Sequence, residues 1–249
     1  MEAGISEVKK ALTTLLNDNP IIFLDYDGTL VPIQPDADAA TADTELLGLL
    51  KKLDSEYNLW IVTGRTLESI SGFIGTDFNI VGLHGLFVRP KNGETSFNPL
   101  LEQYRPAFSL IMEEENEIRK RFPGVVIKDK GGSVSFSLWG MNESDVRGLE
   151  KFLMDESVRL KLDFYPGVKI YELRIPGINK GMAIKGIRKK RPAIIIGDDL
   201  TDEDAFSVNP DAITVKVGTG DTKAHFRVKD FHSVREILRF IASQKPDTS

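Results

Sequence analysis

Ile21-Ile22-Phe23-Leu24-Asp25-Tyr26-Asp27-Gly28-Thr29-Leu30 decides how this chain is read. An apolar run ends in two carboxylates spaced two apart, followed by Gly and Thr. A short apolar run bounded by turn residues predicts a buried strand. Open α/β sheets bind their ligands just beyond the carboxyl ends of such strands. Two carboxylates placed there raise each other's cost of ionisation. A cation is therefore expected beside them, and a hard divalent ion suits oxygen donors. Taken alone, the segment also fits a strand followed by a polar turn. A calcium loop does not fit, because the loop's glycine position falls on Leu30 and its closing carboxylate on Asp36, with Pro32 and Pro35 between them.

Apolar runs flank this segment at helical and strand periods. Ile5, Val8, Leu12, Leu15 and Leu16 predict an amphipathic helix over 5–17, before a strand at 21–25. Leu46, Leu47, Leu49, Leu50 and Leu53 predict a helix over 43–56, with Asp43 or Thr44 near its start. Leu59-Trp60-Ile61-Val62 reads as a strand ending in Thr63-Gly64-Arg65, then a helix over 66–73 and a strand over 79–83 ending in His84-Gly85. This β-α-β-α-β alternation predicts a doubly wound parallel sheet with helices on its faces.

The pattern then changes. A hairpin is expected over 87–97 with Asn92-Gly93 at its turn, then one long charged helix over 99–122. Strands come next at 125–128 and 133–138, then a helix from Asn142 to about Asp155, and strands at 162–165 and 168–173 joined at Pro166-Gly167. The first pattern returns with a helix over 179–190 and the fully apolar Ala193-Ile194-Ile195-Ile196, which ends in Gly197-Asp198-Asp199. A helix from Thr201, a strand at 212–217 and a helix at 233–243 complete it. The expected architecture is α/β: a Rossmann-like core formed by 1–99 and 177–249, with an α+β domain inserted at 100–176. The cleft between two such domains is the natural place for a ligand.

Composition narrows the function class. The 249 residues are 41% hydrophobic and 28% charged, enough for a substantial core. No apolar run approaches the roughly 20 residues of a membrane span, and the first ten residues lack the apolar core of a signal peptide. With no cysteine there is neither a disulfide framework nor a thiolate metal site. A cytoplasmic monomer that does not bind membranes is expected. The net charge of −5 argues against nucleic acid as a partner.

Four polar clusters fall just after predicted strands or at a helix start: Asp25/Asp27, Thr63/Arg65, Lys180, and Asp198/Asp199/Asp202. Five carboxylates, a hydroxyl and two cations suit phosphoryl transfer, in which an Asp attacks phosphorus while cations and donors hold the phosphate oxygens. Each cluster alone has a plainer reading. Thr-Gly-Arg is usually a loop, and Asp199 with Thr201 suits a helix cap. A lysine at a helix start opposes the dipole, which hints at an anionic neighbour for Lys180.

In order along the chain, Asp25-Tyr26-Asp27-Gly28-Thr29-Leu30, Thr63-Gly64-Arg65, Asn179-Lys180-Gly181 and Gly197-Asp198-Asp199-Leu200-Thr201-Asp202-Glu203-Asp204-Ala205-Phe206 resemble the motifs of haloacid-dehalogenase-like phosphatases. The last motif, together with Glu172-Leu173-Arg174, is similar to that of the trehalose-6-phosphate phosphatases. The resemblance runs from about residue 20 to 240 and makes the insert that family's cap. It implies Mg²⁺-dependent hydrolysis of a sugar phosphate, trehalose 6-phosphate first, through an aspartyl-phosphate on Asp25. Asp27 becomes the general acid and base, and Thr63 and Lys180 bind the phosphoryl group. Asp25, the Asp27 carbonyl and Asp198 ligate Mg²⁺, with Asp199 and Asp202 behind them. Arg65, His84, Gly85, Lys130 and Glu172 are implied substrate contacts.

In the insert the match is weaker. Where the family carries a Glu-x-Lys and a His-Tyr-Arg, this chain has Lys128-Asp129-Lys130 and Ser137-Leu138-Trp139. That departure keeps other phosphatases open, for mannosyl-3-phosphoglycerate or sucrose phosphate. A phosphomutase shares the aspartyl-phosphate step, and a non-catalytic sugar-phosphate sensor would be expected to lose Asp25, Asp27 or Lys180.

Overall fold

A computed structural model describes residues 4–167 and 169–244. In chain order the elements are α1 (Ile5–Leu15), β1 (Ile21–Leu24), α2 (Thr44–Glu56), β2 (Asn58–Val62), α3 (Leu67–Ile74), β3 (Asn79–Gly82), β4 (Phe87–Arg89), β5 (Ser96–Phe97), α4 (Leu100–Glu113), α5 (Glu115–Arg121), β6 (Val126–Asp129), β7 (Ser133–Ser137), α6 (Glu143–Leu160), β8 (Asp163–Gly167), β9 (Ile170–Arg174), α7 (Lys180–Arg188), β10 (Ala193–Gly197), α8 (Leu200–Val208), β11 (Ile213–Val217), β12 (Phe226–Val228) and α9 (Phe231–Ser243). They form two compact units. One runs to Ser96 and resumes at Asn179; the other is Phe97–Ile178.

The first unit is built on a sheet of order β12-β11-β10-β1-β2-β3-β4-β5. Strands β12 through β3 run parallel, and β4 joins β3 antiparallel, so the sheet is mixed rather than purely parallel. Every residue of β1 is buried, as a central strand covered on both faces requires. Ile21 and Phe23 pack with Trp60, Val62, Val81 and Ile195, and with Ile184 of α7 and Phe206 of α8. Ile22 and Leu24 alternate to the other face. Helices α1 and α2 each pack against α9. Chain order leaves β1 in one direction through β2 and β3, and leaves β10 in the other through β11 and β12. The reversal between β1 and β10 is the switch point at which open sheets form a ligand crevice. Leu24 pairs with Ile196, so Asp25 and Asp198 emerge side by side from neighbouring strands.

The second unit carries an antiparallel sheet of order β6-β7-β9-β8, with helices α4, α5 and α6. The expected single helix over 99–122 is interrupted at Glu114, between α4 and α5. The break falls in Glu113-Glu114-Glu115, where no buried side chain anchors the turn. Helix α6 runs five residues past the expected end at Asp155, because Leu153 and Ser157 continue its buried stripe. The expected turn at Pro166-Gly167 lies instead inside β8, where Pro166 pairs with Tyr171 on the edge strand, a position that tolerates a missing N–H. The strand expected to begin at 168 opens on a residue outside the described set, and β9 starts at Ile170. β12 is absent from the sequence-based expectation, since three residues are too few to display a period.

Candidate active site

The turn after β1 is shaped by its own backbone. Tyr26 points away from the two aspartates; its ring stacks on Phe73 at 6.0 Å and its buried hydroxyl donates to the Ala40 carbonyl at 2.8 Å. Spacing by two therefore leaves Asp25 and Asp27 on the crevice side. Gly28 closes the turn at φ +83°, and its N–H donates to the Val31 carbonyl at 2.8 Å. A Cβ at Gly28 would run into the Asp198 carboxylate. Gly28→Ala is thus strained twice. It is expected to lower turnover by about 100-fold through displacement of Asp198, with steady-state phosphate release as the check; wild-type turnover would contradict it.

Lys180 is at the centre of the acidic group. It opens α7, which Asn179 caps by accepting the Met182 N–H at 2.9 Å. The Lys180 side chain is 2% exposed and donates to Asp25 Oδ1 at 2.7 Å and to Asp202 Oδ1 at 2.9 Å. Here are the anionic neighbours that its place at a helix start called for. The other oxygen of Asp202 accepts the N–H groups of Asp198 and Asp199 at 3.0 and 3.1 Å. Asp199 caps α8 through the Thr201 N–H at 2.8 Å, and Thr201 Oγ1 donates to the same oxygen. The Thr29 hydroxyl, fully buried, donates to Asp198 Oδ1 at 3.1 Å.

Thr63 is buried at the end of β2, and its Oγ1 accepts the Arg65 N–H at 3.1 Å. Its own hydroxyl proton is left to donate. Arg65 is engaged with Asp27 through a bidentate pair, Nε to Oδ2 at 2.7 Å and Nη2 to Oδ1 at 2.6 Å, and lies 4.6 Å from the Phe73 ring centroid. His84 is buried at φ +57°, with its N–H donating to the Thr63 carbonyl at 3.0 Å. Gly85, at φ +110°, brings the backbone against the Asn179 carbonyl. His84 and Gly85 thus join the ends of β2 and β3 to the start of α7.

In the second unit Lys130 donates to Glu172, and Arg174 Nε donates to Glu172 Oε2 at 2.8 Å. The Arg174 guanidinium sits 3.7 Å from the Tyr165 ring centroid. Glu172 is 3% exposed at the middle of β9, registered between Ser135 and Tyr165. Trp139 is 40% exposed. Arg174 is visible in the sequence only as the third residue of Glu172-Leu173-Arg174, and nothing there pairs it with its neighbour two residues back.

The electrostatics call for a cation. Burial, opposed by Lys180, holds the Asp25 carboxyl well above its ordinary range. Burial, reinforced by Asp202 and Asp199, pushes Asp198 up to about 7. Burial alone would raise Asp199 too, but Lys180 and the Thr201 hydroxyl pull it well below its ordinary value. Lys180 is shifted upward by Asp202 and Asp25 against its own desolvation. Among the described residues, Asp25, Asp198 and Asp202 each offer an oxygen within 4.8 Å of the others. Both Asp202 oxygens already accept hydrogen bonds, so Asp25 and Asp198 are the better ligands, and the Asp198 carboxylate lies against Gly28 only because glycine has no Cβ. This all-oxygen donor set fits a hard metal ion.

These shifts make stability depend on pH. A carboxyl raised on folding, from 3.8 to about 7 for Asp198, adds stability that is complete below its unfolded pKa and lost as pH climbs through its folded one. Metal-free protein is expected to be less stable at pH 8 than at pH 5, by roughly 2–3 kcal/mol from this group, and so to melt at a lower temperature. A divalent cation should remove the difference. Asp43, Asp211 and Asp230, held low by the Leu46 N–H, the Arg188 guanidinium and the Ser233 N–H respectively, act only in the acid range below that window. A metal-free melting temperature that is level or rises between pH 5 and 8 would contradict the expectation.

The trehalose-phosphatase family profile matches residues 23–232. A trehalose-6-phosphate phosphatase-related protein of Thermoplasma acidophilum is 42% identical over 222 residues, covering 89% of this chain and 96% of that one. A bifunctional trehalose-6-phosphate synthase/phosphatase of Thermoproteus tenax is 33% identical over 233 residues, 88% of this chain and 31% of that longer protein. The crystal structure of a trehalose-6-phosphate phosphatase related protein superposes with a TM-score of 0.82 at 41% identity, over 89% of this chain and 96% of its own. No helix of the described residues is long and apolar enough to cross a membrane. The switch-point carboxylates, the buried lysine that bridges them and these likenesses agree: the chain is a phosphoric monoester hydrolase of haloacid-dehalogenase-like fold and belongs to the trehalose-phosphatase family.

Proposed function

We propose that this protein hydrolyses trehalose 6-phosphate to trehalose and inorganic phosphate, with Mg²⁺ as its cation. The observation that carries the reading is Lys180 held between Asp25 and Asp202 beside Asp198. Membership of the family and the names of its relatives support the substrate. Asp25 attacks phosphorus with one oxygen while Lys180 holds the other. The phosphorus–oxygen bond to the sugar breaks, and the leaving oxygen takes a proton from Asp27. The resulting acyl phosphate on Asp25 is then hydrolysed by a water that Asp27 deprotonates. Thr63 and Lys180 donate to the phosphoryl oxygens. Asp25, the Asp27 carbonyl and Asp198 would hold Mg²⁺, which neutralises phosphate charge that otherwise repels a carboxylate nucleophile. In this structure both Asp27 oxygens accept from Arg65, and one of them has to leave the guanidinium before it carries a proton to the leaving oxygen. Lys130 and Glu172 are the proposed sugar contacts, with His84 and Gly85 at the phosphate end.

Phosphate release from trehalose 6-phosphate, sucrose phosphate, mannosyl-3-phosphoglycerate and glucose 6-phosphate, with Mg²⁺ and with chelator, tests this reading. Trehalose 6-phosphate is expected to have the highest kcat/KM, by at least about tenfold, and chelator should abolish turnover. Better turnover of another sugar phosphate would reassign the substrate, a direction that Ser137-Leu138-Trp139 favours. Binding without turnover would make the protein a sensor.

A further inference from the structure

β11 carries a charge that the phosphoryl chemistry does not use. Its register sets Lys216 opposite Gly197, one residue before Asp198. Lys216 is 5% exposed, between the buried Val215 and Val217. An ammonium so buried is costly unless it is well paired. Its Nζ donates to the backbone carbonyl of Asp198 and lies 3.9 Å from Glu203 Oε1. Glu203 in turn accepts the Lys223 N–H at 2.8 Å, tying the segment after β11 to α8. Asp198 is therefore fixed at three points: its N–H by Asp202, its carboxylate by Thr29 and its carbonyl by Lys216. The peptide whose carbonyl Lys216 holds joins β10 to α8, and rotation there would swing the Asp198 carboxylate away from Asp25.

We propose that Lys216 is a positioning residue for the metal site: by holding the Asp198 carbonyl it aims the Asp198 carboxylate beside Asp25 and sets the affinity for a divalent cation. The inference rests on the reading of Asp25 and Asp198 as cation ligands. The plainer role, a countercharge to the acidic group, predicts the opposite sign. Removing a nearby positive charge should tighten cation binding, whereas losing the aim of a ligand should weaken it.

Calorimetric titration of Mg²⁺ and Mn²⁺ into wild type, Lys216→Met, Lys216→Gln and Asp198→Asn separates these roles without substrate. Lys216→Met is expected to bind Mg²⁺ about tenfold more weakly; unchanged or tighter binding overturns the inference. Lys216→Gln keeps a donor for the carbonyl without the charge, and stays within about threefold of wild type if aim is what matters. It also carries the test if the Met variant does not fold, since tighter binding by the Gln variant overturns the proposal. Asp198→Asn distinguishes the two failures. If it binds the cation like wild type, the ligand reading itself is wrong. If it weakens while Lys216→Met does not, only the role of Lys216 falls.

Discussion

Asp25→Asn is expected to lower phosphate release by about 10⁴-fold or more while leaving the fold intact. Asn presents the shape of a carboxyl and can still accept from Lys180, but it has no anionic oxygen with which to attack phosphorus. Burial penalises the Asp25 charge, and Asp198 and Asp199 repel it while Lys180 attracts it, so the amide relieves repulsion as well as losing an attraction. The metal-free variant should melt at or slightly above the wild-type temperature. Loss of activity with retained stability separates a nucleophile from a structural residue. Turnover within tenfold of wild type would remove Asp25 from the chemistry.

Lys180→Met should fail on both counts. Lys180 is fully enclosed between Asp25 and Asp202, and it is the cation that both carboxylates contact directly. Taking one partner from a buried, hydrogen-bonded charge group typically costs about 3–5 kcal/mol. In a chain of this size that lowers the melting temperature by roughly 6–20 °C. Saturating Mg²⁺ should return part of the loss, because a ligand that binds the folded state alone stabilises it. Activity should not return, since the phosphoryl group has lost a donor that Mg²⁺ does not replace. Circular dichroism melts with and without Mg²⁺ give the comparison. An unchanged melting temperature would mean that the acidic group is satisfied in some other way.

Much of the core and its acidic group is legible in the sequence because short-range pattern carries it. The apolar runs before Asp25 and Asp198 are too short and too uniformly apolar for anything but buried strands. Buried parallel strands deliver the residues after them to the carboxyl edge of the sheet. The sequence shows two carboxylates spaced two apart; that Tyr26 turns to the other side is set by its contacts with Phe73 and the Ala40 carbonyl. Other features depend on contacts that leave no local trace. Arg65 reaches Asp27 across 38 positions. Arg174 and Lys130 converge on Glu172 only through strand register. Lys216 differs from an ordinary strand lysine only in lying at the crevice end beside Gly197; its sole signal is one charge in Ile213-Thr214-Val215-Lys216-Val217. Within Phe97–Ile178 the misread boundaries, at Glu114, Asp155 and Pro166, fall where charged or turn-forming residues mask periodicity that packing then restores or breaks.

The most direct measurement is a single-turnover reaction with ³²P-labelled trehalose 6-phosphate, quenched in acid within milliseconds and digested for peptide mapping. Label should appear transiently on the peptide holding Asp25, decay as inorganic phosphate forms, and be absent from Asp25→Asn. Phosphate formed with no labelled peptide at any time, or label on a different residue, would contradict the mechanism.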